Sequence, residues 1–250
     1  LPIMNIPIMN LMLVNLLIIN CLLNIHMITN WYYTIFEYKF EVLDLDFEYK
    51  AGQFAMMIFD SLIDDSKNVS RAYSISSKPN SKEFELCVEI IEGGQAGTYF
   101  SALTEGQIVD FKGPFGMCYI KPENQNDLIM IATGTGIAPI KSIVDDLIAK
   151  GDKRKIEILF GVRYEENIFY QDLLDSYSKH ENINARITLS KPSEDWNGLK
   201  GRVTSHLDEF NWENKDLYIC GNGAMIREVR QFGLDQGLDK KQIHLEIFDS

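Results

Sequence analysis

The stretch with the most chemical content is DLIMIATGTGIAP, Asp127 to Pro139, where an apolar run breaks into Gly134 and Gly136 just before a proline. Leu128 to Ala132 are too short and too branched for a helix and suit a strand buried on both faces. Neither glycine carries a Cβ, so the backbone can turn sharply there and approach another molecule. Beyond Pro139, Ile140, Ile143, Val144 and Leu147 recur at helical spacing, with Gly151 as a stop. A strand, a glycine turn and a helix N-terminus together make a phosphate site, because free N–H groups and the helix dipole both favour an anion. A second glycine cluster, GGQAGTYFSALTEG at 93–106, precedes a short helix and is a second candidate anion site.

Two different kinds of element must position these sites. Residues 34–42, 53–59, 71–77, 84–91 and 107–113 read as short strands separated by Gly, Pro, Asn and Ser, the spacing of a small antiparallel barrel or sandwich. The second half alternates strand and helix: 156–162 leads to 166–180, 184–190 to 203–210, 216–221 to 223–237, and 243–248 closes the chain. With Leu128 to Ala132 this predicts five strands with crossover helices, a doubly wound parallel sheet. Ligands in such sheets sit at the carboxyl ends of the strands, which selects Gly134, Thr135, Gly136, Gly161, Ser190 and Cys220. The polar stretch 121–127 marks the boundary between a domain at 30–123 and one at 124–250.

Composition narrows the function classes. Hydrophobic content of 46% and charged content of 24% over 250 residues describe a soluble globular chain with room for two domains. A net charge of −12 argues against a nucleic-acid partner. Four cysteines, at 21, 87, 118 and 220, are too scattered for an iron–sulfur or zinc cluster and suit a reducing, cytoplasmic compartment. Residues 1–29 are an apolar extension of a different character, with no charged residue before Glu37. Leu11 to Met27 is nearly long enough to span a bilayer, but Asn15, Asn20, Asn24 and His26 interrupt it, and a first β-strand within Ile18 to Ile28 is the preferred reading over a membrane anchor. The chain opens on Leu1, which leaves Met27 as an alternative start.

RAYS at 71–74, GGQAGT at 93–98, GPFG at 113–116, GTGIAP at 134–139, CGNGAM at 220–225 and EIF at 246–248 together resemble the ferredoxin–NADP reductase superfamily. Each motif alone is weak; six in the family's order carry the resemblance over residues 34–248. It implies an antiparallel Greek-key β-barrel that binds FAD, then the five-stranded NAD(P)-binding sheet, with a hydride passing from NAD(P)H to the flavin between them.

The resemblance gives individual residues expected roles. Arg71 would meet the flavin phosphate with its planar fork, Ala72 and Tyr73 would lie against the ring system, and Ser74 would reach flavin N5. Gly97 and Thr98, at a helix start, would hold the pyrophosphate, though Thr98 could equally be a local cap. Val88 to Ile90 match a segment that family members use through backbone contacts near the adenine end. Gly134, Thr135 and Gly136 would cradle the dinucleotide, with Gly221 and Met225 beside it. Cys220 would orient the nicotinamide without acting as a nucleophile; read alone it is a core cysteine. Glu246 and Phe248 match the family's carboxylate and terminal aromatic near the flavin. Ser190 and Lys191 stand where NADPH-selective members bind the 2′-phosphate, but SEDWNGLKGRV looks more like NADH-using relatives, so NADH is favoured over NADPH. The electron acceptor implied is a redox protein or oxygenase. A free-flavin or ferric reductase, and a non-catalytic flavin-containing electron-transfer subunit, are the competing readings.

Overall fold

In a computed structural model, residues 18–26, 35–43, 47–61 and 68–248 are described. The first sheet contains β1 (Ile18–His26), β2 (Ile35–Val42), β3 (Phe54–Asp60), β4 (Asn68–Ser74), β5 (Glu83–Glu89) and β6 (Ile108–Phe115). Its order is β4-β3-β6-β1-β2-β5, antiparallel throughout. Ile75, just past β4, bridges to Leu86 on β5, so the two edge strands meet at that end and the sheet curls into a barrel. Inward residues alternate, as in Ala55, Met57 and Phe59 or Tyr38, Phe40 and Val42. Phe40, Phe84 and Phe111 meet in the centre with ring centroids 4.8 to 5.3 Å apart.

β1 lies between β6 and β2, paired on both edges, with Ile19, Cys21 and Leu23 buried. The barrel therefore begins before residue 30, the expected boundary, and includes residues ahead of Met27. Most of the segment weighed as a membrane span forms this strand; residues 1–17 and 27–34 lie outside the described residues. Among the described residues no helix is long and apolar enough to cross a membrane. Between β5 and β6 runs α1 (Gln95–Ala102), whose Phe100 fills the barrel end.

The second sheet contains β7 (Asp127–Thr133), β8 (Ile156–Val162), β9 (Ile183–Leu189), β10 (Leu199–Lys200), β11 (Lys215–Gly221) and β12 (Ile243–Ile247). All its pairs are parallel and its order is β10-β9-β8-β7-β11-β12, so a two-residue edge strand joins the five expected. Central β7 is buried on both faces, as its unbroken apolar run requires. Leu128, Met130 and Ala132 pack with α2 (Ile137–Ala149) and α3 (Gln171–Tyr177), while Ile129 and Ile131 pack with α4 (Gly223–Asp235). α2 begins at Ile137, before Pro139, which sits in the first turn where its missing N–H costs no hydrogen bond. Residues 203–209, expected as an α-helix, wind as a 3-10 helix instead. The chain leaves β7 for one side of the sheet and returns to β11 on the other, so the crevice between these two strands' carboxyl ends is the switch point.

Candidate functional site

A cavity of about 740 Å³ opens between the barrel and the wound sheet. The barrel contributes Arg71, Ala72, Tyr73 and Ser74 from β4, Val88 and Glu89 from β5, and the start of α1; the wound sheet contributes Thr135, Gly221 and Phe248. A second cavity, of about 610 Å³, runs along the carboxyl ends of β8 and β9 past Arg163, Ser190 and Arg202 to Met225 on α4. The two share Glu89, Thr133, Gly134 and Asn222. One continuous space thus joins a groove on each fold.

The barrel wall suits a phosphate and an aromatic ring. Arg71 is exposed, bonds only the Ser70 carbonyl at 2.9 Å, and has no carboxylate partner among the described residues. α1 starts behind Gly94 with no side-chain cap, and its first residues, Gln95, Ala96 and Gly97, line the groove, the end of a helix that favours an anion. Tyr73 stands edge-on to Phe100 at 5.1 Å, and burial raises its hydroxyl pKa to about 12.

Ser74, on the groove wall, donates its hydroxyl to Oε1 of Glu246 in the other sheet, which itself lines neither cavity. Oε2 of Glu246 is buried without a partner, and burial pushes this carboxyl up to about 7, against the Ser74 bond, which lowers it. Cys220 pairs in register with Glu246. Its sulfur is fully buried 3.8 Å from that of Cys118, and burial holds its pKa well above the ordinary thiol value. A neutral thiol is no nucleophile, and Cys220 lines neither cavity.

Several sequence-predicted residues fall elsewhere. Val88, Glu89 and Ile91 line the groove, while the side chain of Ile90, just past the end of β5, packs against the barrel core. Thr98 is the fourth residue of α1, not its cap, and its hydroxyl donates to the Gly94 carbonyl at 3.0 Å. Gly97 lines the groove, and its bareness also lets the helix sit on Ile91, whose carbonyl oxygen would be 2.5 Å from a Cβ. Gly134 takes φ +54° and opens to the groove, but Gly136 is bare for an internal reason: a Cβ there would lie 2.3 Å from the Cys220 carbonyl oxygen. Ser190 lines the second cavity; Lys191 does not. Thr133, Asn222, Arg163 and Arg202 line it unforeseen, although Arg163 directly follows β8, where the carboxyl-end rule already pointed.

The family model for the oxidoreductase FAD-binding domain matches residues 20–119, and that for the oxidoreductase NAD-binding domain matches residues 130–231. Ferredoxin–NADP reductase B of Sorangium cellulosum is 32% identical over 214 residues, covering 81% of this chain and 86% of the relative. The chain belongs to the ferredoxin–NADP reductase superfamily. Among solved structures, the ferredoxin NADP+ reductase of Neisseria gonorrhoeae with bound FAD and NADP superposes with a TM-score of 0.78 at 22% identity, over 92% of this chain and 98% of that one. Reductase component 2 of terephthalate 1,2-dioxygenase from Comamonas is 30% identical over 208 residues, covering 80% of this chain but only 60% of the relative. As a superfamily member the protein is an NAD(P)H-dependent flavoprotein reductase with FAD- and NAD-binding domains. The residues present fit the flavin: a guanidinium without a carboxylate partner, the start of α1 and the Tyr73 and Phe248 rings line one groove, with the orphaned Glu246 oxygen buried behind Ser74.

Proposed function

We propose that the junction of the two cavities, at Thr133, Gly134 and Asn222, is where a nicotinamide meets the flavin ring, and that a redox protein receives the electrons. The carrying observation is that the two grooves share these residues. Bound FAD would supply the hydride acceptor and the outlet for single electrons. Arg71 and the first turn of α1 hold its phosphates, and Tyr73 holds the ring against the barrel. Ser74 on the groove wall donates its hydroxyl to Oε1 of Glu246 behind it, and this carboxyl, with a pKa near neutrality, can take up or release a proton through that contact. Cys220 acts through its place beside Glu246, where it packs the end of β11.

On the nucleotide side, Arg163 and Arg202 lie in one cavity with Ser190, and neither has an ion-pair partner among the described residues. Two free guanidinium groups suit a 2′-phosphate dianion, so this arrangement supports NADPH over the NADH that the sequence pattern favours. Glu89 and Glu228 line the same cavity and confine the favourable position to the arginine side. The name of the Comamonas relative, a dioxygenase reductase component, supports an oxygenase as acceptor, and that of the Sorangium relative a ferredoxin. The test is to purify the protein, measure bound FAD, and compare turnover with NADPH and NADH using a one-electron acceptor. Loss of turnover without FAD, and a lower KM for NADPH, is the expected outcome; equal constants for the two nucleotides would contradict the arginine assignment.

A further inference from the structure

Lys141 lies one turn into α2, just beyond the Gly134–Gly136 turn, with its side chain 11% exposed. Its ammonium reaches across to the barrel. Nζ donates to the Ser76 carbonyl at 3.2 Å and to Glu85 Oε2 at 3.3 Å, and lies 3.9 Å from Glu37 Oε1. On its own helix, Asp145 Oδ2 is 3.3 Å away. Burial disfavours the charge, yet Asp145, Glu85 and Glu37 together hold its pKa above the ordinary lysine value.

The neighbours are built around this contact. Tyr170, at the start of α3, donates its hydroxyl to Glu37 Oε1 at 2.7 Å and presents its ring 5.9 Å from the ammonium. It does so from a left-handed backbone conformation, φ 59°, that a bulky residue adopts only when its surroundings impose it. Tyr177 donates to Asp145 Oδ1 at 2.5 Å. Ser142 donates to the Ser77 carbonyl at 2.5 Å and accepts from the Gly52 N–H at 3.4 Å. Lys141 lines neither nucleotide groove.

We propose that Lys141 is a positioning residue that holds the wound sheet against the barrel and so sets the separation of the two nucleotide grooves. The proposal rests on the hydride-transfer reading given above. One cation faces three carboxylates, two on the barrel and one on α2. Without the ammonium, Glu37 and Glu85 confront Asp145 across a partly dry interface, and like charges so placed push the two halves apart. α2 carries the Gly134 turn at its N-terminus, so even a small tilt of the helix moves the junction of the grooves. Reactions that depend on the contact of two rings lose rate steeply with such a displacement.

The experiment compares wild type, Lys141→Met and the double variant Glu85→Gln/Lys141→Met. Hydrogen exchange on the flavin-free proteins should show faster exchange in Lys141→Met at Gly52 and at residues 74–78, with the central strands β7 and β8 unchanged. In FAD-loaded protein, the limiting rate of flavin reduction by NADPH should fall about tenfold while half-saturation moves less than about twofold. The double variant should recover most of that rate, because one repelling carboxylate is gone. Unchanged exchange and an unchanged limiting rate in Lys141→Met would overturn the proposal, as would a loss confined to half-saturation. If Lys141→Met does not fold, Glu85→Gln alone carries the test: it removes one barrel anchor, and unaltered exchange at residues 74–78 overturns the proposal. A wild-type protein that NADPH cannot reduce would instead contradict the functional reading, leaving the exchange data to judge the clasp.

Discussion

Ser74, at the end of a barrel strand, donates its hydroxyl to Glu246, at the end of a strand in the other sheet, across a separation of 172 residues. The bond crosses the groove wall and ties the placement of one fold to the other. It also leaves Oε2 of Glu246 buried and unpaired, which is costly for a charged carboxylate and mild for a protonated one.

That cost has a pH signature. Glu246 titrates near 7 in the folded protein against 4.5 for an ordinary carboxyl, so between these values the folded state binds the extra proton. Stability should therefore fall as pH rises from about 4.5 through 7, with the full penalty, about 3 kcal/mol, present above that window. In Glu246→Gln, thermal unfolding between pH 5 and pH 8 should lose this slope. The same variant should lose any inflection near pH 7 in the rate of flavin reduction. An unchanged unfolding slope would remove Glu246 as the titrating group.

Arg71→Ala should weaken FAD retention, because a charged guanidinium bond to phosphate contributes about 1.5–3 kcal/mol, on the order of 10- to 100-fold in Kd. Flavin content after purification and dialysis measures it directly. Since Arg71 is exposed and bonds only its neighbour's carbonyl, its removal should leave the unfolding temperature of the flavin-free protein where it was.

Arg163→Ala and Arg202→Ala should each raise KM for NADPH about tenfold and leave KM for NADH nearly unchanged, because only the former dinucleotide carries the phosphate they would face. A parallel rise for both nucleotides would mean that the arginines shape the loop and do not read the phosphate.

Gly136→Ala tests packing without touching the charge balance. The new Cβ would sit 2.3 Å from the Cys220 carbonyl oxygen and 2.8 Å from the Gly221 N atom, both backbone atoms that cannot swing aside. The helix N-terminus or the end of β11 must shift, at a cost of about 1–3 kcal/mol. A lowered unfolding temperature is expected, together with slower flavin reduction, because β11 carries Gly221 into the groove.

Much of this architecture was legible in the chain. The unbroken apolar run of β7 followed by Gly134 could hardly be anything but a buried strand opening into a turn, and the strand-end rule reached Ser190 and Gly134. Ile90 and Ile91 lie just past the end of β5 and are both apolar, so their types alone do not tell which side chain turns to the groove. Thr98 misled because hydroxyl residues cap helices so often, whereas the glycine at 94 does so here without a side chain. β1 was legible as a strand within Ile18 to Ile28 in spite of its asparagines, and Ile19, Cys21 and Leu23 supply its buried two-residue alternation. The pairings of Ser74 with Glu246 and of Lys141 with Glu85 depend on how two folds dock, a relationship that no local pattern in either segment encodes.

The central claim, that the two grooves bring nicotinamide and flavin into contact, is tested most directly by mixing FAD-loaded protein anaerobically with one equivalent of NADPH in a stopped-flow spectrometer. The account predicts that the yellow absorbance bleaches in a single turnover, at a rate that saturates with nucleotide concentration. Absorbance that persists while the protein demonstrably binds both nucleotides would contradict it.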